Sequence, residues 1–173
     1  TMMQNSFANT SSSILGSKMQ GNIVDLLMPP LNANEILISY ISAAIIRSIL
    51  VGIITYLVIL PFTSLILYNV YIVIIYSLLG SIFLALLGLI AGIWSKKFDN
   101  MSGITNFIIT PLTFLSGTFY TIDRLPDPFY TISLFNPFYY KIEGFRSAFQ
   151  RDLSYDLVYG ITYISVLNLI IYL

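Results

Sequence analysis

The stretch VYIVIIYSLLGSIFLALLGLIAGIW, Val70 to Trp94, runs for 25 residues without a charge. A helix needs about 20 predominantly apolar residues to cross a hydrocarbon core of about 30 Å, so this stretch is long enough to span a bilayer. The rest of the chain agrees. Of its 173 residues, 57% are hydrophobic and 9% charged, against about 25% charged in ordinary globular domains. The mean hydropathy is +0.83. Too few charges remain to coat a water-facing surface, and the apolar and aromatic content excludes the low-hydrophobicity kind of disorder. The bilayer is the solvent, and the length is not that of a soluble domain.

Working outward from Val70–Trp94, two further complete spans are predicted at 36–60 and 101–120, and the start of a last span at 157–173. The fold class is therefore an all-α integral membrane protein, a polytopic transmembrane helix bundle. The 101–120 segment is the most polar, with Thr105, Asn106, Thr110, Thr113 and Ser116 around Pro111. That pattern predicts packing against other helices and a kink at the proline. Arg47 is the one charge inside a complete span. It lies about 9 Å deep if the helix enters near Ile41, within reach of snorkelling or of an inter-helix hydrogen bond. Contact with a transported molecule is the alternative. Small residues recur at helical spacing as Ala44, Ser48, Gly52 and Thr55, and as Ser77, Ser81, Ala85, Gly88 and Gly92. In lipid such faces let backbones approach, so each is expected to be a packing seam, with the lining of a path as the second possibility.

Eight Lys+Arg balance eight Asp+Glu, and the chain has no Cys and no His. No electrostatic footprint for nucleic acid is present. Thiol nucleophiles, imidazole bases and the usual zinc, copper and haem ligand sets are absent from this chain. No G-x-x-x-x-G-K-[ST] loop occurs, and no carboxylate pair lies in a span, which weakens a proton-coupled carrier. No metal, cofactor or catalytic site is expected.

Lys96 and Lys97, in the loop SKKFDN, assign that loop to the cytoplasm. Parity then puts the segment before Ile36 inside, and Pro61–Asn69 and Thr121–Asp156 outside. The outer connection carries more positive residues than the inner loop, namely Arg124, Lys141, Arg146 and Arg151. In GNIVDLLMPPLNANEILISY, Gly21 to Leu27 reads as a short amphipathic helix broken by Pro29 and Pro30. Asn32 with Glu35 reads as a capping-box variant opening the next helix. A stiff surface element of this kind can pass a push into the following span; an interfacial anchor is the plainer reading. In the outer connection, Asp127-Pro128 and Asn136-Pro137 are two cap-plus-proline helix starts, so two short helices are expected. After Pro137, Phe138, Ile142, Phe145 and Phe149 form an apolar stripe, with Lys141, Glu143, Arg146, Gln150 and Arg151 on other faces. The aromatics around it suit anchoring in the headgroup zone.

Two blocks resemble the type-2 ABC-transporter permease family. GNIVDLLMPPLNANEIL is similar to its coupling-helix region. TPLTFLSGTFYTIDRLPDPFYTISLFNPFYYKIEGFR resembles its exit block, through Pro111, Leu115, Ser116, Gly117, Leu125, Pro126, Asn136, Pro137 and Arg146. The resemblance covers essentially the whole chain and implies one permease domain cut at both ends: the tail of a second span at 1–17, a cytoplasmic coupling helix region at 18–34, and an outer re-entrant hairpin at 121–156. It implies coupling residues Gly21, Asp25, Leu27, Pro29, Pro30 and Glu35, and an outer gate at Ser116, Gly117, Pro126, Asn136, Pro137 and Arg146. Implied too are a bacterial-type plasma (inner) membrane location, a permease homodimer or paired permease, and an ATP-binding cassette ATPase partner that holds the ATP. The expected function is the membrane subunit of an ATP-driven exporter of polysaccharides, lipid-linked glycans, drugs or other amphipaths, without catalysis of its own. A secondary carrier or channel driven by membrane potential or an ion gradient is the alternative, and a membrane-embedded lipid enzyme the third reading.

Overall fold

The computed structural model describes residues 2–24, 28–62, 67–117, 127–149 and 157–173. Among these residues the regular structure is all helical: α1 Met2–Met19, α2 Ala33–Ile59, α3 Val70–Trp94, α4 Phe98–Ile104, a π-helical turn Thr105–Ile109, α5 Thr110–Leu115, α6 Asp127–Phe135, α7 Pro137–Ser147 and α8 Leu157–Tyr172. Helices α2 and α3 are long and apolar enough to cross a membrane.

Helix α3 is the axis of the molecule, in contact with α1, α2, α7 and α8. Its small residues explain why. Ser77, Ser81, Ala85, Gly88 and Gly92 are all buried. A Cβ on Gly88 would stand 2.7 Å from the Phe7 carbonyl oxygen and 2.6 Å from the Thr10 hydroxyl, and one on Gly92 3.0 Å from the Ser11 carbonyl oxygen. Only hydrogen fits there, so α1 lies directly on the α3 backbone. On α2, Ala44 and Ser48 are buried, and the Ser48 and Ser81 hydroxyls meet at 2.7 Å. Both small-residue faces thus lie at helix contacts.

Helix α1 buries Ser6, Thr10 and Ser11. Thr10 Oγ1 donates to the Ser6 carbonyl at 2.6 Å and Ser11 Oγ to that of Phe7 at 2.7 Å. The hydroxyls are satisfied by their own helix, which is what allows them into a dry seam.

The 98–115 stretch is helical in three pieces. Pro111 has no N–H and its ring crowds the carbonyl four residues back. The chain answers with a widened turn in which Thr110 Oγ1 reaches the Thr105 carbonyl at 2.9 Å. The break expected at Pro111 is therefore a register shift just before it, the form prolines and π-turns commonly impose on helices. Helix α5 ends at Leu115, with Gly117 at φ +77°, the left-handed conformation that closes helices.

Helix α7 lies along the first half of α3. Phe138 meets Phe83 edge to face, with ring centres 6.1 Å apart, and the Ala148 carbonyl accepts from the Tyr68 and Asn69 N–H groups at 3.2 Å. The 14 residues between Asn69 and Phe83 correspond to about 21 Å of helix, so the Asn136 turn reaches past the middle of α3. The face α7 buries is Phe138, Tyr140, Lys141, Gly144 and Ser147, not the expected stripe of Phe138, Ile142, Phe145 and Phe149. Gly144 decides this, because the Tyr76 ring occupies the space a Cβ would take. Of the aromatics in this connection, Tyr140 packs inward against Tyr163 at 4.5 Å and Tyr159 at 5.6 Å, while Phe135 is exposed.

Candidate functional site

The end of α5 is where the expected outer residues converge. A helix leaves its last carbonyls without intrahelical partners, and here side chains of the two following helices take them. Asn136 Nδ2 donates to the Leu112 carbonyl at 2.6 Å, Ser133 Oγ to that of Leu115 at 2.9 Å, and Arg146 Nη2 to that of Gly117 at 2.9 Å. Ser116, buried, turns its hydroxyl back to the Thr113 carbonyl at 2.5 Å. Asn136 works in both directions: its Oδ1 accepts the Phe138 N–H at 3.0 Å, capping α7, whose first residue is Pro137. Arg146 is also paired with Glu143 at 3.1 Å. Ser133, Asn136 and Arg146 thus form one clasp on Leu112, Leu115 and Gly117, joining the end of α5 to α6 and α7; Ser116 bonds within its own helix, Pro137 opens α7, and Pro126 lies outside the described residues.

Sequence reasoning missed Ser133, a serine without a motif, and it misplaced Lys141. The Lys141 side chain is fully buried, its Nζ 3.1 Å from the centre of the Phe83 ring and 5.2 Å from that of Phe138. It finds no hydrogen-bond acceptor among the described residues. Burial holds the amine well below the usual lysine range, because a charge in low dielectric without a counter-ion is strongly disfavoured. Burial, then Tyr159, pushes the neighbouring Tyr140 hydroxyl up.

At the other end of the bundle, Gly21 turns the chain out of α1 at φ +76°. Asp25 and Leu27 lie outside the described residues. Pro29 and Pro30 are exposed, and Glu35 reaches back to the Asn32 N–H at 2.9 Å, the reciprocal half of a capping box. Just before Gly21 sits a residue with no role in the expected site. Lys18 Nζ donates to the carbonyls of Gly92, Ile93 and Ser95 at 3.3, 2.5 and 2.9 Å, covering the end of α3. Its only sequence signal is a lysine in the last turn of a helix. Arg47 donates to Asn9 Oδ1 on α1 at 2.6 Å, the inter-helix hydrogen bond of its plainer reading.

Among the described residues no three His, Cys, Asp or Glu side chains converge as metal ligands would. What the arrangement offers is mechanical: helix ends tied to neighbouring elements by donors from elsewhere in the chain, on an apolar helical frame. These are features of an all-helical membrane protein.

Comparison with known proteins agrees. Residues 1–149 match the model of the ABC-2 type transporter family, and the chain belongs to that family. It is similar to the inner membrane transport permease YadH of Escherichia coli K12, 31% identical over 163 residues, and equally to the YadH permeases of Escherichia coli O157:H7 and Shigella flexneri. The match covers 93% of this chain and 64% of each relative, so the chain spans just under two thirds of their length. No solved structure matches it. As a member of that family the chain is a membrane protein.

Proposed function

We propose that this chain forms the membrane subunit of an ATP-driven exporter, working as a dimer with an ATP-binding cassette ATPase that supplies the nucleotide chemistry. The carrying observation is the clasp at the end of α5. It bonds Leu115, Gly117, Asn136 and Arg146 of the exit block into one unit, with the Asn136 turn past the middle of α3, which supports this reading. In this reading α6 and α7 are an outer re-entrant hairpin that closes the exit and lifts when the exporter opens. The segment Gly21 to Pro30 is the cytoplasmic contact for the ATPase, and the lysines of the 95–100 loop lie on the same side. The cargo class that suits an apolar frame with a dry, clasped exit is an amphipath: a lipid-linked glycan, a polysaccharide on a lipid carrier, or a drug.

The full-length permease, purified with the ATPase encoded beside its gene, tests this. The complex is expected to co-purify, and Asp25→Ala with Leu27→Ala to abolish nucleotide-dependent movement of the hairpin. Loss of ATPase binding in the unaltered protein, or ion-driven flux that persists without ATP, overturns the reading in favour of a secondary carrier or channel.

A further inference from the structure

An ammonium has three N–H donors and no acceptor. Lys18 Nζ spends its hydrogen bonds on the carbonyls of Gly92, Ile93 and Ser95. These belong to the group a helix leaves unpaired at its end, where its dipole also favours a cation. One side chain of α1 therefore holds the end of α3 almost by itself, with no water and no second side chain needed.

The tie continues a contact that cannot slide. Above it, Gly92 rests against the Ser11 backbone and the Ile14 side chain, and Gly88 against Phe7 and Thr10. At Phe7 and Ser11 the two helices touch backbone to backbone, and the ammonium holds the last turn. On the side of α2, residues 28–32 ahead of the helix are exposed. The bond at its entrance, Glu35 to the Asn32 N–H, is within its own first turn.

We infer that Lys18 is a positioning residue that makes α1 and α3 move as one body when the Gly21–Pro30 segment is displaced. The displacement then travels backward along the chain, into α1 and across the ammonium to α3. Ser95, the last carbonyl held, leads directly to Lys96, Lys97 and the start of α4, so the same tie hands the movement to the stretch that ends in the clasp. The inference rests on the ATPase-contact reading of Gly21–Pro30.

The chain has no cysteine, and Met19 and Trp94 are exposed beside the tie. Spin labels on cysteines at these two positions, in the full-length permease with its ATPase in phosphatidylethanolamine and phosphatidylglycerol vesicles, read the separation directly. Between nucleotide-free and vanadate-trapped ATP states, the distance is expected to stay constant with Lys18 present. With Lys18→Met it is expected to shift in the trapped state by more than about 3 Å, two residues of helical rise. Lys18→Arg restores the constant distance, and Lys18→Gln gives a smaller shift. A separation that changes with nucleotide while Lys18 is present, or one indifferent to Lys18→Met in both states, overturns the inference. Failure of the ATPase to co-purify is seen before any distance is measured, and it removes the underlying reading instead.

Discussion

Replacing Lys141 with Met is expected to make the protein more stable, and increasingly so as the pH falls. The amine is fully buried against Phe83 and Phe138 without a hydrogen-bond acceptor among the described residues. An unsatisfied buried donor costs about 1–3 kcal/mol. Keeping the proton would gain a cation–π attraction of about 2 kcal/mol, less than the several kcal/mol that an unpaired buried ion costs. The folded protein therefore holds the neutral amine, in line with its lowered pKa. The unfolded chain rebinds a proton near the usual value of about 10.4. Between the folded and unfolded pKa values the unfolded state carries the extra proton, so stability rises with pH at up to about 1.36 kcal/mol per unit. Below the folded pKa the dependence levels off at its least favourable value.

Methionine has a similar unbranched shape, no hydrogen-bonding demand and a favourable sulfur–ring contact. Lys141→Met should thus gain about 1–3 kcal/mol even in alkali, and more near neutrality. Thermal unfolding in detergent from about pH 6.5 to about pH 9.5 reads this, at about 2–4 °C per kcal/mol for a chain of this size. The wild-type midpoint should climb with pH and the variant's should lie higher and flatter. Parallel curves, or a variant that melts lower, would refute the argument that the amine is neutral and unpaired.

Asn136→Ala removes the cap of α7 and leaves the Leu112 carbonyl without its donor, a combined loss of about 2–4 kcal/mol; a lowered melting midpoint together with faster proteolysis at the hairpin checks it. Gly88→Val pushes two methyl groups into the Phe7 backbone, so cross-linking between cysteines placed on α1 and α3 should fall sharply while membrane insertion is kept. Pro111→Ala restores the missing N–H and should convert the 105–109 turn to ordinary α-helix. That rotates the residues before it by about 100° for the residue gained, seen as changed labelling of cysteines at Met101 and Ser102, with the clasp beyond it unaltered.

The sequence made the apolar frame legible because its signal is local. An uncharged run of 25 residues has one physical solution, and Gly88 with Gly92 four positions apart marks a face whatever lies opposite. The clasp was half legible. Asn136-Pro137 announced a helix start, but that the same Asn136 amide serves Leu112 depends on two segments meeting, which no local pattern contains. Lys18 was hidden for the same reason: a lysine near a helix end reads as solvated until the end of another helix is placed beside it. Lys141 was misread by a rule imported from water, where charges point away from the apolar stripe. Where one helix packs on another the partner chooses the face, and the small residue Gly144 settled which side faced α3. Pro111 signalled a break, and the choice between a bend and a widened turn belonged to the hydroxyls around it.

The self-bonded serines and threonines of α1 have a consequence for how the bundle is assembled. Ser6, Thr10 and Ser11 already have acceptors on their own helix, so this face needs no donor or acceptor from a neighbour and is ready for whatever surface fits it. The surface that fits is the glycine face of α3, which is synthesised some fifty residues after Met19, with the apolar α2 between them. For that interval the face stays uncovered in the nascent chain, and a seam mutant that cannot close it would leave it open for quality control to find.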